Sequence, residues 1–290
     1  MARRTVLAAG TTIVLLTALA ACGSSGGSSS TASSPTPGTT ASCTPADLNL
    51  VNAGKLTVGT DKPAYPPYFQ NDTPSNGKGY ESATAYAIAK QLGFTSADVK
   101  WVVVPFDSSY APGAKKFDFD INQISITPER QKAVTFSSPY YKAPQAVVAL
   151  KGTPAASATT IAALKDLKFG VQVGTTSLQF VKDTVQPTSQ PQVFNDTAAA
   201  TAALKNKQVN AIVVDLPTAD YITNVELSNG VITGQFPQST GVDWGVLMQK
   251  DNTLATCVNQ AVGTLDANGT LKALQTKYLP FTSSVPVITQ

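Results

Sequence analysis

Beyond residue 42 the chain alternates two hydrophobic periods. Short runs rich in β-branched and aromatic residues, which suit strands, lie at residues 55–60, 99–104, 119–125, 145–150, 169–173, 192–195, 211–214 and 244–248. Between them, apolar positions recur at helical spacing over residues 81–92, 161–167, 175–182, 197–205, 254–265 and 271–278. The punctuation agrees. The first of these helices runs up to Gly93, a stop residue, and the last follows the Asn268-Gly269 break. Thr127-Pro128-Glu129 opens a further helix, with a capping hydroxyl, a proline at the first position and an acid at the positive end. Strands and helices in turn predict an α/β fold, with mainly parallel sheets and helices on both faces. No internal repeat is visible. The folded part is about 240 residues, room for two modest domains or one large one.

The first 42 residues follow neither period. Arg3 and Arg4 precede an apolar run at residues 6–21, which ends in Leu19-Ala20-Ala21-Cys22. The run is short for a membrane span and has the charged front and small-residue end of an export signal. A cysteine directly after Leu-Ala-Ala resembles the lipobox of bacterial lipoproteins. That implies cleavage before Cys22 and a lipid on it, so residues 1–22 are expected to be a signal peptide. Residues 23–42 are uncharged Gly, Ser, Thr, Ala and Pro, the composition of a flexible tether. No later run is long enough to span a bilayer. Cys43 and Cys257 remain, and an exported chain lives where disulfides persist. With two cysteines one pairing is possible, so a Cys43–Cys257 bond is expected, tying the start of the folded part to a helix near its end.

Composition removes several functions. Setting aside Arg3 and Arg4, 19 basic residues stand against 18 acidic ones. That near-neutrality argues against nucleic acid and against electrostatic docking on anionic lipid. The chain has no histidine. The usual general base and the commonest metal ligand are therefore missing, and with no spare cysteine neither a zinc site nor a Ser–His or Cys–His nucleophile is expected. No cofactor is expected either.

Arginine usage is the sharpest chemical signal. After Arg4 every basic residue is lysine except Arg130. Arginine offers a planar fork that matches a carboxylate with two parallel hydrogen bonds, which lysine cannot copy. In open α/β sheets ligands sit at the carboxyl ends of strands. Asp61, Ser125 with Arg130, Thr175 with Thr176, and Asp215 all follow expected strands. Thr175 and Thr176 also open a helix, whose free N–H groups favour an anion. One arginine, one helix start and two acids make a receptor for a zwitterion. Arg130 and the Thr175-Thr176 turn would take a carboxylate, Asp215 an ammonium, and Tyr65 and Phe106 would wall the apolar part. Each residue also has a structural role open to it: Arg130 as surface charge, Asp215 as helix N-cap before Leu216-Pro217, the threonines as caps, the aromatics as core.

The motifs taken in order resemble a known family, the extracytoplasmic solute-binding proteins of ABC importers, in the group that binds polar amino acids. The likeness covers nearly all of residues 44–281. It rests on Gly54-Lys55-Leu56-Thr57-Val58-Gly59-Thr60-Asp61, Tyr65-Pro66-Pro67-Tyr68, Phe117-Asp118, Ile124-Ser125-Ile126-Thr127-Pro128-Glu129-Arg130 and Phe136-Ser137-Ser138-Pro139-Tyr140-Tyr141. It continues through Gly174-Thr175-Thr176, Asn210-Ala211-Ile212-Val213-Val214-Asp215 and Asn268-Gly269-Thr270-Leu271. The resemblance implies a two-lobe periplasmic-binding-protein fold (type II) with two hinge crossings. Lobe one would be residues 44–142 plus 241–281, and lobe two residues 145–238. The Cys43–Cys257 bond would then lie within lobe one and leave closure free. The resemblance also implies roles: Arg130 on the ligand carboxylate with Ser125 and Thr176, Asp215 on the ammonium with Ser125 and the Gln123 carbonyl, Tyr65 and Phe106 around the side chain, and Asp61 reading a polar side-chain amide or amine. Departures from the family pattern are Ala83 in place of an acid, one extra residue between Asp61 and Tyr65, and a polar Phe119-Asp120-Ile121-Asn122-Gln123 strand.

The expected function is capture of a free polar amino acid by hinge closure and delivery to an ABC permease. The protein would be a monomer, held by lipid at the outer face of the cell membrane, and not an enzyme. Two competing readings remain at this level. One is a secreted dehydratase of cyclic carboxylic acids on the same fold, with Glu81 or Asp120 as general acid. The other is a ligand-sensing subunit of a signalling system. Which amino acid is bound is not legible, although Asp61 leans toward a polar or basic side chain.

Overall fold

The computed structural model describes residues 42–279 and 285–290. The signal sequence, Cys22 and the tether lie outside the described residues. In chain order the strands and α-helices are β1 Leu56–Thr60, α1 Tyr80–Gln91, β2 Val99–Val103, α2 Phe106–Ser109, β3 Phe119–Asp120, α3 Pro128–Gln131, β4 Val134–Ala143 and β5 Gln145–Leu150. Then come α4 Ile161–Leu164, β6 Phe169–Gln172, α5 Thr176–Phe180, β7 Gln192–Phe194, α6 Thr197–Lys205, β8 Ala211–Asp215, α7 Leu216–Tyr221, β9 Gly230–Gln235, β10 Val242–Gln249, α8 Leu254–Ala267 and α9 Thr270–Tyr278. No described helix is long and apolar enough to cross a membrane.

The strands form two five-stranded sheets, ordered β2-β1-β3-β10-β4 and β7-β6-β8-β5-β9. Both are mixed. β1, β2 and β3 run parallel and β10 antiparallel between β3 and β4. In the second sheet β6, β7 and β8 run parallel and β5 antiparallel between β8 and β9. Four strands of each sheet thus share one direction. The antiparallel strands are the ones just after each change of sheet: the chain leaves the first sheet at Pro144, between β4 and β5, and returns between β9 and β10.

β5 shows why the second sheet is a middle layer. All of its residues are buried; Ala146, Val148 and Leu150 enter one core, while Val147 and Ala149 enter the other. A strand apolar on both faces needs cover on both sides. The first sheet is treated the same way. Leu56, Val58, Phe119 and Ile121 pack with α1 and α8 on one face, and Leu247, Phe117 and Ile124 pack with the residues after β2 on the other. Cys43 and Cys257 are bonded, with Cα atoms 5.5 Å apart, so the segment before β1 is stapled to α8 in the first core.

Three local features differ from the periodic reading. The strand expected over residues 119–125 is short, because Gln123 adopts a φ of 48° and the chain leaves the ladder. The helix after Thr175 loosens into a π-turn at Val181–Val185. Residues 285–290 attach to the second sheet: Gln235 donates its N–H to Pro286 O (2.8 Å), Ile288 donates to Gln235 O (2.8 Å), and Ile288 is buried in that core.

Candidate functional site

The carboxyl ends of β1, β3, β6 and β8 converge on a cleft of about 900 Å³ between the two sheets, open to solvent at its mouth. From the first-sheet side it is lined by Asp61, Tyr65, Phe106, Gln123 and Ser125. From the second-sheet side come Thr175, Thr176 and Asp215. Eight of the residues singled out in the sequence therefore share one cavity. Arg130 does not line it.

Asp215 ends β8 and precedes a helix with Pro217 in its first turn, yet its side chain makes no capping hydrogen bond. It accepts instead from the Gln145 amide across the β5–β8 pair. The Gln145 carbonyl oxygen is held in turn by Ser177 Oγ at 2.6 Å. Burial pushes the Asp215 carboxyl up to about 7, against the Gln145 hydrogen bond and the charge of Arg130, and the charge of Glu81 adds to the rise. A deep acid whose donors are neutral side chains is stabilised by a bound cation.

Gln123 has little left to offer from its donors. Its backbone N–H donates to Glu81 Oε1 at 2.6 Å, and its side-chain amide donates to the same carboxyl, which also takes the Tyr140 hydroxyl. Gln123 is left with its carbonyl for the cleft. Glu81 is fully buried, and burial lifts it to about 7 in spite of these three donors. Asp120 is buried beside Gly59, with both oxygens unpartnered and its carboxyl held well above the usual range by burial. Neither Glu81 nor Asp120 lines the cleft.

Arg130 sits in α3, where Thr127 Oγ1 accepts its backbone N–H at 3.2 Å. Its guanidinium is almost fully buried and bridges the lobes. Nη1 donates to Ser125 O at 2.8 Å and Nη2 to Gly174 O at 3.0 Å. It lies over the Tyr110 ring, 4.5 Å from the centroid, and 5.4 Å from that of Phe106. At least two of its five N–H donors are thereby used. Gly174 is needed at the turn: its φ is 72°, and a Cβ there would strike the Tyr110 hydroxyl. Two further contacts join the lobes, Ser125 Oγ with Thr176 Oγ1 at 3.0 Å and Tyr68 Oη with Thr218 Oγ1 at 2.8 Å. Thr175 does cap: its Oγ1 accepts from Leu178 N at 3.1 Å.

The cleft wall carries further acids. Asp61 takes the N–H of Lys62 at 2.7 Å, and burial raises its carboxyl, with the charges of Asp107 and Asp196 adding to the rise. Tyr65 is pushed up to about 12 by burial and then by Asp196, Asp61 and Glu226. Glu226 lines the cleft, and no lysine or arginine does so among the described residues.

Several lining residues escaped the sequence reading: Tyr68, Asn122, Thr218, Tyr221 and Glu226. The signal for two of them was the Asp215-Leu216-Pro217 start of α7, which sets Thr218 and Tyr221 about one turn apart. For Asn122 it was the polarity of its strand. Gln145 was a lone polar residue in the run Gln145–Leu150.

Comparison with known proteins agrees with this architecture. Residues 56–281 match the bacterial extracellular solute-binding proteins, family 3. The ABC transporter arginine-binding protein 1 of Escherichia coli (strain K12) is 28% identical over 233 residues, 79% of this chain and 92% of the relative. The L-cystine-binding protein TcyJ of the same organism is 31% identical over 246 residues, 80% of this chain and 87% of the relative. Among solved structures, the ancestral amino acid-binding protein AncCDT-1, a precursor of cyclohexadienyl dehydratase, superposes with a TM-score of 0.65 at 31% identity, covering 78% of this chain and 95% of that one. The two sheets, the cleft at their strand ends and the match over residues 56–281 lead to one conclusion: the chain belongs to family 3 of the bacterial extracellular solute-binding proteins, the amino-acid-binding components of ABC transporters.

Proposed function

We propose that the ligand is a free amino acid with a cationic side chain, held between the lobes as a zwitterion. The observation that carries the reading is the charge of the cleft. Asp215 lies at one place, Asp61 and Glu226 line the rest, and no basic side chain lines the wall among the described residues. Asp215 and the Gln123 carbonyl suit the α-ammonium. The Ser125 and Thr176 hydroxyls and the start of α5 suit the carboxylate, with Arg130 behind them holding Ser125 O and Gly174 O in place. Tyr65 and Phe106 suit the stem of the side chain, and Asp61 its charged end. The arginine-binding relative supports the same class.

The reading is of a receptor without turnover. Glu81 and Asp120, the two acids suited to a dehydratase, lie outside the cleft and carry no proton to a bound ligand there. Closure follows from contacts with both lobes, since such a ligand binds the closed form more tightly. The changes of sheet at Pro144 and between Gln235 and Val242 support lobes of residues 44–142 with 241–281 and of residues 145–238. Residues 285–290 add to the second lobe. Cys22 would carry the lipid that keeps the monomer beside its permease. A thermal-shift screen over the standard amino acids, followed by calorimetry, tests the ligand class, because a tight ligand raises apparent stability by mass action. Arginine or lysine should give the largest shift; a largest shift from a neutral or acidic amino acid would refute it.

A further inference from the structure

We propose that the positive side chain is selected during closure, by two second-lobe acids, Glu226 in the cleft wall and Asp196 just before the lining residues Thr197 and Ala198, acting with Asp61 of the first lobe. This rests on the receptor reading above and adds where in the binding cycle the choice is made.

Glu226 is placed by an uncommon piece of backbone. α7 runs directly into a π-turn at Ile222–Glu226. π-turns are rare and often mark functional sites. Thr218, Tyr221, Ile222 and Glu226 fall on one side of this continuous segment and all line the cleft. Its first turn is fixed to the first lobe by the Thr218–Tyr68 hydrogen bond. Asp196 is equally fixed, because its Oδ1 caps α6 by accepting from Ala199 N at 2.7 Å, and the next two residues, Thr197 and Ala198, line the cleft. The charges of Asp196, Asp61 and Glu226 all reach the Tyr65 hydroxyl, and that of Asp196 reaches Asp61. None of the three acids belongs to an ion pair among the described residues. Asn122, also in the cleft wall and more than nine-tenths buried, has an amide nitrogen without a partner, a second sign that this cavity is shaped for an occupant.

Asp61 belongs to the first lobe, Asp196 and Glu226 to the second. Bringing the lobes together therefore brings like charges together. An empty cleft, or one holding a neutral side chain, closes against that repulsion. A cationic group placed among the acids removes it. Since a ligand shifts a conformational equilibrium only by its difference in affinity for the two states, the second-lobe acids convert side-chain charge into closure.

The test is calorimetric titration of the full folded chain with L-arginine and with L-glutamine, on wild type, Glu226→Gln and the double variant Glu226→Gln with Asp196→Asn. Asparagine caps a helix as well as aspartate, so α6 is preserved. Glu226→Gln should lower the arginine-to-glutamine affinity ratio about fivefold, as expected of a partly exposed charge, and the double variant should lower it further. Small-angle scattering of the ligand-free proteins should show the double variant more compact than wild type. A ratio within twofold of wild type in the double variant overturns the inference and leaves the receptor reading standing. Absence of any amino-acid binding to wild type would instead remove the receptor reading itself. Salt provides a check that needs no variant: arginine affinity should fall with ionic strength more steeply than glutamine affinity, and equal slopes would count against the inference.

Discussion

Glu81 Oε1 accepts the backbone N–H of Gln123 at 2.6 Å, and Gln123 is the residue held at a φ of 48° where β3 breaks off into the cleft. A non-glycine residue in that region persists only where its surroundings hold it. Here the hold is a buried carboxyl with three donors. Glu81→Gln should destabilise the protein by about 1–3 kcal/mol, because an amide then faces donors that need an acceptor. It should also weaken amino-acid binding by loosening the Gln123 carbonyl. The loss should depend on pH. Burial raises Glu81 from 4.5 to about 7 in the folded state, so its effect on stability is most favourable below the unfolded value and declines as pH rises through about 7. The variant should therefore compare worse with wild type at pH 5 than at pH 8. Urea denaturation at both values is the measurement, and equal differences would contradict the assignment.

Asp215 gives binding its own pH dependence. Its carboxyl stands near 7 in the ligand-free protein, raised first by burial. A bound ammonium favours the ionised form, so binding should expel a proton at and below neutrality. Affinity should drop about fivefold between pH 7 and pH 6, following the ionised fraction of one group with that value. Calorimetry in buffers of different ionisation enthalpy reads the proton directly. Asp215→Asn should bind weakly and with no proton release; a variant that still released one would assign the proton elsewhere.

Arg130 ties the lobes through Ser125 O and Gly174 O, directly behind the residues that take the carboxylate in the proposed function. A lysine cannot reach both carbonyls with a fixed planar fork, so Ser125 and the turn at Gly174 would lose their shared anchor. Arg130→Lys should raise the dissociation constant at least tenfold, and Arg130→Ala by tens-fold or more. Scattering should show that saturating ligand compacts either variant less than wild type. Unchanged affinity in Arg130→Lys would show that the two-carbonyl anchor does not matter for binding.

The Cys43–Cys257 bond ties the segment before β1 to α8, with both ends in the first core. Replacing both residues with serine should cost roughly 3–5 kcal/mol of stability, the range for a long closed loop. Ligand affinity should stay within about twofold, since neither end touches the cleft. Thermal unfolding and calorimetry on the same variant separate the two effects.

Much of this protein was readable before folding was considered. The run Gln145–Leu150 announced a strand, and Thr127-Pro128 marked the start of α3. Asp61, Ser125, Thr176 and Asp215 announced themselves by following strands. Other features were silent. Residues 285–290 carried no signal that Ile288 would fill the second core. Nothing near Gln123 in the chain indicates that Glu81, 42 residues earlier, consumes its donors. Arg130 was legible as the exceptional cation, but its carbonyl partners were not.

Local order thus came from the one-dimensional pattern, because hydrophobic period, caps and breakers act over a few residues and need only near neighbours. Which charged groups end up together did not. Asp61, Asp196 and Glu226 lie far apart along the chain and become one electrostatic unit only when two sheets set their strand ends face to face. Desolvation, which moves Asp215 and Glu81 to about 7, is likewise a property of what surrounds a residue in space. The folded lobes, and not the order of residues, decide how much water each carboxyl keeps.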